Sequence, residues 1–104
     1  MTEQLVFRAI ADPTRRSILT MLSGGERTLN DITAAFEMTR PAVAKHLKVL
    51  QEGGLVQVRK QGRERLHRLQ PEGLKTVSEW VSFFDVFWDE KLANLKQAVE
   101  ADDE

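Results

Sequence analysis

Between Arg40 and Arg68 the chain concentrates its cations. Arg40, Lys45, Lys48, Arg59, Lys60, Arg63, Arg65 and Arg68 are set against Glu52 and Glu64 alone, a net charge of +6. Residues 69–104 carry three Lys against nine Asp or Glu, a net of −6, and the whole chain of 104 residues comes to −1. Guanidinium and ammonium groups clustered in this way do one kind of chemistry well: they neutralise a polyanion and donate hydrogen bonds to phosphates or to base edges. They do not form a catalytic set. No nucleophile–base pair, phosphate-cradling glycine loop or metal triad accompanies them, so no catalytic residue is assigned. The chain has no cysteine, which excludes disulfides and thiolate metal sites. No metal ligand is assigned and no cofactor is expected.

Spacing decides which cations point the same way. Thr39 can cap a helix that carries Pro41 in its first turn, where a missing N–H costs nothing. Val43, Leu47 and Leu50 then fall on one stripe, with Pro41, Lys45 and Lys48 on the opposite side. The expected helix spans about residues 39–52, with Gly53 supplying a left-handed C-cap. After it, Val56 and Val58 alternate with polar residues, and a second alternating run begins near Arg63 and closes at Leu69. Gln61-Gly62 between the runs predicts a hairpin over about residues 55–69 with a basic tip.

The elements that must hold these two surfaces precede and follow them. Leu5, Val6, Ala9 and Ile10 predict a short first helix over about 3–11. Asp12-Pro13 opens a second, ending near Leu22 at Ser23-Gly24-Gly25. Thr28, with Asp31 three residues on, resembles a capping box opening a third that carries Leu29, Ile32 and Phe36. That helix, a short turn and the 39–52 helix make a helix-turn-helix, and the hairpin is a natural wing. An α-helix fits the DNA major groove, whose acceptors suit Arg and Lys, while wing cations suit phosphates. Arg40 and Lys45 are therefore the candidates for groove contacts, with Thr39, Pro41 and Ala44 close to the DNA. Lys48 meets phosphate or solvent, and for His46, beside the apolar stripe, core packing and DNA contact both fit. On the wing, Arg63 and Arg65 are the expected backbone or minor-groove contacts, with Arg59, Lys60 and Gln61 in support.

From residue 71 to about 101 the spacing predicts one helix of about 30 residues, roughly 45 Å long. Leu74, Val77, Val81, Phe84, Trp88, Leu92, Leu95 and Val99 form one stripe, and Trp80, Phe83 and Phe87 a second. Five of the seven aromatic residues lie between 80 and 88. Two stripes suit two burials, one on the chain's own domain and one on a second copy. The expected twofold interface comprises Leu5, Val6, Phe7, Trp80, Phe84, Phe87, Trp88, Leu92 and Leu95. A twofold dimer sets two recognition helices roughly 34 Å apart, which calls for an inverted-repeat site.

"VFRAIADPTRRSILTML", "RPAVAKHLKVLQEGGLV" and "QGRERLHRL" together resemble the ArsR family of bacterial winged-helix repressors, in order and spacing, over nearly the whole chain. The tail "WVSFFDVFWDEKLANLKQAVE" is similar to that of a branch with an aromatic-rich last helix. The resemblance implies a homodimeric repressor of promoter inverted repeats. The family's metal-responsive members use Cys on the third helix, or Asp and His on the last. Here "TLNDITAAFE" has no Cys, and the last helix offers carboxylates such as Asp85, Asp89 and Glu90 but no His. That departure implies no direct response to soft or borderline metals. Arg15 and Arg16 match a family feature and are read as intramolecular ion-pair partners; His67 stands where the family often has an aromatic residue and is read as packing under the wing.

The expectation is therefore a single domain, 1–104, mainly α with a small β-hairpin: a winged helix-turn-helix with a long C-terminal dimerisation helix. Its expected partners are double-stranded DNA and a second copy, with room for a small-molecule or protein effector that the sequence does not name. The competing reading is a winged-helix protein–protein module without specific DNA binding; the basic segment counts against it. The N-terminus "MTEQLVFRAI" has no basic region followed by a long apolar run, and no stretch approaches the 18 to 20 or so apolar residues of a membrane span. Both favour the cytoplasm.

Overall fold

The structure, a computed structural model, describes residues 2–102. Helices α1 (Thr2–Ile10) and α2 (Pro13–Leu22) lead to a two-residue strand β1 (Arg27–Thr28), then α3 (Leu29–Phe36) and α4 (Arg40–Glu52). The wing strands β2 (Val56–Gln61) and β3 (Glu64–Leu69) follow. A 3-10 turn (Pro71–Leu74), α5 (Lys75–Ser82) and α6 (Asp85–Asp102) complete the chain. Three of the helices start on side-chain caps that satisfy otherwise orphaned N–H groups. The Asp12 carboxylate accepts from the Arg15 N–H at 3.0 Å, and that bond holds its carboxyl below the ordinary range. Thr28 and Asp31 form the reciprocal box, each side chain accepting from the other's backbone N–H at 3.1 Å, which likewise lowers the Asp31 carboxyl. Thr39 Oγ1 accepts from Ala42 N–H at 3.3 Å and so fixes the start of α4.

The core is Val6, Ala9, Ile18, Leu19, Leu22, Ile32, Val43, Leu47, Leu50, Leu55 and Val56. It joins α1 to α4 and the first wing strand. Val6, expected at the dimer interface, is only 2% exposed; it is part of the protomer's own core and has no surface left for a partner. At the end of α4 the left-handed residue is Gly54 (φ 73), not Gly53, whose φ is −79. Gly53 serves closeness instead. A Cβ there would stand 3.1 Å from Leu5 O and 3.3 Å from the Ala9 side chain, so its absence lets α1 cross the end of α4.

The expected hairpin is present as β2 and β3, and β1 joins it to make an antiparallel three-stranded sheet in the order β1-β3-β2. β1 pairs Arg27 with His67 and Thr28 with Leu66. The hairpin turn sits on Gly62 (φ 64) and Arg63, since Gln61 and Glu64 already pair.

Residues 71–101, expected as one helix, are three pieces, although a long terminal helix is present as α6. At the break, backbone bonding shortens to i→i+3: Phe84 N–H donates to Val81 O, and Phe87 N–H to Phe84 O, both at 3.0 Å. The tightening turns Phe84 into a hub whose ring lies 5.1 to 6.3 Å from those of Phe83, Trp80 and Phe87. α5 stays on α1 through an edge-to-face contact of Phe7 with Trp80 at 5.6 Å. α6 leaves the body. The Cα radius of gyration is 18.8 Å, where about 13 Å suits a compact chain of this length, and the principal extents are 67 × 31 × 21 Å. No described helix is long and apolar enough to cross a membrane.

Candidate nucleic-acid interface

α4 and the wing enclose an open groove of about 660 Å³. From α4 come Arg40, Ala44, Leu47, Lys48 and Gln51, which share one flank at spacings of three and four. Arg63, Glu64, Arg65 and His67 line it from the wing, and Thr28 and Asn30 from the start of α3. Thus Arg40, Lys48, Arg63 and Arg65 converge on one concave surface against a single carboxylate. Lys45 is not in the groove. At about 100° per residue it projects opposite the buried Val43–Leu47–Leu50 stripe, near Pro41, and all of Thr39, Arg40, Pro41, Ala44, Lys45 and Lys48 are exposed.

The sheet register sorts the wing cations. Lys60 lies opposite Arg65, on the same strand face as Val58 and His67. Two like charges paired directly across strands oppose the hairpin unless something negative sits on them. Arg59 and Gln61 project from the other face, and Arg59 is engaged: its Nη2 lies 2.9 Å from Glu26 Oε2 and its Nε donates to the same oxygen at 3.0 Å. Expected as a supporting phosphate contact, Arg59 is already paired within the protomer. Arg68, also outward, donates to Gln57 Oε1 at 2.7 Å. His67 is 5% exposed, with Nδ1 3.3 Å from Arg27 O; the carbonyl only accepts, so Nδ1 carries the proton and ties β3 to β1. Burial pushes its pKa down, which keeps the ring neutral.

His46 turns away from the groove. Its Nδ1 is 3.2 Å from Arg15 Nη1 and 4.0 Å from Asp12 Oδ2, on the flank of α4 that faces α2. Arg15 and Arg16, expected in ion pairs, instead cap the end of α1: Arg15 donates to Ala9 O and Arg8 O, and Arg16 Nη1 to Ile10 O at 2.7 Å. Carbonyls at the C-terminal end of a helix lack a full set of intrahelical donors and accept readily from guanidinium groups. Sequence reasoning missed Thr28, Asn30 and Gln51 as groove residues. The capping box and the Arg40–Ala44–Gln51 spacing were the signals available for them.

Outside the groove, α1, α5 and α6 carry bare apolar surface. Trp80 is 55% exposed, Phe87, Trp88 and Leu92 60%, Leu95 61% and Leu5 37%; Phe7 and Phe84 are half-buried. Beyond Val56 no apolar residue is fully buried among the described residues. Those residues also include no cluster of three or more His, Asp or Glu able to hold a metal ion.

A family model described as bacterial regulatory protein, arsR family, matches residues 12–58, from the α2 cap into the first wing strand. The chain is 34% identical over 79 residues to the transcriptional repressor SdpR of Bacillus subtilis (strain 168), covering 76% of this chain and 88% of that protein. It is similar to the ArsR-like transcriptional regulator from Rhodococcus sp. RHA1, with a TM-score of 0.76 and 34% identity over 96% of this chain and 92% of the other. A further match, with a TM-score of 0.64 and 29% identity over 89% and 83% of the two chains, is Mb0332 from Mycobacterium bovis. Its solution structure is described as a homodimeric winged helix-turn-helix DNA-binding domain of a possible ArsR-family regulator.

Proposed function

Since the chain belongs to the arsR family of bacterial regulatory proteins and is a DNA-binding transcriptional regulator, we propose that it acts as a cytoplasmic homodimeric repressor of an inverted-repeat operator. The observation that carries this reading is the convergence of Arg40 and Lys48 of α4 with Arg63 and Arg65 of the wing on one groove. A phosphodiester strand fits such a channel, and its charge relieves the Lys60–Arg65 opposition. In this arrangement the exposed start of α4 enters the major groove. Lys45, with Thr39, Pro41 and Ala44, meets base edges, while Arg40, Lys48, Lys60, Gln61, Arg63 and Arg65 hold the flanking backbone. His46 and Arg59 contact other protein groups and are left out of the DNA surface.

The dimer rests on the aromatic arm. A helix whose Trp88, Leu92, Leu95 and Val99 step by fours and threes along one side, all more than half exposed, suits a copy of itself. Leu5, Phe7, Trp80, Phe84 and Phe87 continue that surface onto the body.

The test is fluorescence anisotropy against a duplex selected from a random pool, over a salt series. Log affinity should fall steeply and linearly with log salt. Arg40→Ala, Lys48→Ala, Arg63→Ala and Arg65→Ala should each flatten the slope by about 1 while weakening all sequences alike. Lys45→Ala should cost about 1–3 kcal/mol on the selected site and relax the preference at one base position. Undetectable or salt-insensitive binding would overturn the reading and favour a protein-docking module.

A further inference from the structure

Arg15 sits where three elements meet. Its Nε donates to Ala9 O at 2.8 Å and its Nη2 to Arg8 O at 3.0 Å, both at the C-terminal end of α1. Its Nη1 faces Nδ1 of His46, on α4, at 3.2 Å. A guanidinium has no acceptor, so Nδ1 must accept and the imidazole is neutral with its proton on Nε2. α1 is the helix that carries the aromatic arm through Phe7 and Trp80, and α4 presents the basic face. One planar guanidinium, fixed by these contacts, thus bridges α1, on the side of the aromatic arm, to α4, on the side of the basic groove.

The same imidazole has a second partner in reserve. Asp12 Oδ2, at the N-cap of α2, lies 4.0 Å from Nδ1, too far for a hydrogen bond in the present arrangement. The charged groups facing the ring are Arg15 and Asp12, both from the start of α2. α1 presents backbone carbonyls already taken by Arg15, and α3 and β2 form no hydrogen bond or ion pair with the ring among the described residues. A proton on Nδ1 turns an acceptor into a donor. Nδ1–H would then oppose the Arg15 N–H and be drawn toward the Asp12 carboxylate, so the two protonation states of His46 favour two different contacts.

We infer that Arg15 and His46 are positioning residues for DNA binding: the imidazole, held by Arg15, fixes the angle of α4 against α1, and a proton on Nδ1, which exchanges Arg15 for Asp12, shifts that angle and weakens operator affinity. This inference rests on the reading of α4 as the DNA-contacting helix. Its sign separates it from a contact role. A His46 that touched phosphate would bind DNA more tightly once charged; a His46 that orients α4 binds more weakly.

The measurement is affinity for the pool-selected duplex between about pH 8 and about pH 5.5, the range over which imidazoles titrate, at fixed salt. The proteins compared are the wild type, His46→Asn and His46→Ala. The Asn side-chain oxygen can accept from Arg15 near the place of Nδ1 and does not titrate. His67 is present in all three, so any difference belongs to position 46. The wild type should lose about tenfold in affinity on acidification, within the range of measured site-to-site couplings. His46→Asn should match the wild type at the alkaline end and stay flat, and His46→Ala should be weak throughout. All three should retain the same dimer mass and melt within a few degrees of one another, because His46 is partly exposed and its neighbours are polar. Tighter wild-type binding at acid pH, a His46→Asn profile that tracks the wild type, or full affinity in His46→Ala would each overturn the inference while leaving the DNA-binding reading intact. Absence of specific binding by the wild type at about pH 8 would instead overturn that reading, and this inference with it.

Discussion

Replacing Leu92 and Leu95 of α6 with alanine removes the middle of the exposed seam without touching the protomer's own core. In the free protomer these side chains are 60% and 61% exposed. Fully burying a leucine contributes about 1.5–3 kcal/mol, so the part still available to a partner is worth about 1–2 kcal/mol, of which alanine forfeits about 1 kcal/mol. Twofold symmetry repeats each loss, giving about 4 kcal/mol for the pair of substitutions and a roughly thousandfold weaker dimer. Analytical ultracentrifugation over a dilution series measures the constant directly. Far-ultraviolet circular dichroism gives a second readout. An 18-residue helix with no packing partner is marginal in water, so helicity should fall as the wild type is diluted through its dissociation midpoint, and at higher concentration for the variant. A variant dimer constant within about threefold of the wild type's would refute the assignment of this seam to the interface.

Three further outcomes follow from particular contacts. Gly53→Ala should destabilise the fold by about 1–3 kcal/mol in denaturant unfolding, because the new methyl meets Leu5 O at 3.1 Å and pushes α1 off α4. Thr39→Ala should lower stability by about 1 kcal/mol, a Tm fall of about 5 °C, by deleting the cap on Ala42 N–H; Thr39→Ser should restore most of it. For His67, burial lowers the folded-state pKa, so the unfolded chain binds the extra proton first. Stability is complete well above the ordinary imidazole value near pH 6.5 and is lost as pH falls through it toward the lower folded value. Thermal melts should show that decline in the wild type and a smaller one in His67→Phe, and equal declines would exclude His67 as its source.

The parts of the fold readable in the sequence are those set by local chemistry. Asp12, Thr28 and Thr39 are caps because their side chains reach backbone N–H groups two or three residues on, and such reach is written in the spacing. The buried faces of α2, α3 and α4 follow from helical period in the same way. What escaped depends on tertiary partners. β1 is two residues long and exists because β3 offers it an edge, so no pattern within Arg27-Thr28 announces it. Val6 and Leu5 are neighbours of equal hydrophobicity, yet the crossing of α1 over Gly53 buries one and leaves the other 37% exposed. Arg59 reads as a free wing cation until Glu26, 33 residues earlier, is found beside it. The groove itself was half legible. Its basic residues stood out by charge, but Asn30 and Gln51 join them only once α3, α4 and the wing are assembled.

The charge map that first marked the basic segment also sets two associations against each other. α6 holds Asp85, Asp89, Glu90, Glu100 and Asp102 against Lys91 and Lys96, so pairing two arms brings two net negative helices together. Added salt screens that repulsion over a Debye length of about 10 Å at 0.1 M and favours the dimer. The same salt weakens the groove's hold on a phosphate backbone by shrinking the entropy gained when condensed counterions are released. Measured with protein well above the dimer midpoint, affinity should therefore fall monotonically with salt. Measured below it, the fall should be shallower, because each increment of salt recruits dimers while it loosens their contacts. Lys91→Glu and Lys96→Glu deepen the arm's charge without altering the DNA face, so together they should widen the gap between the two regimes. A gap unchanged by these substitutions would mean that the arms do not meet.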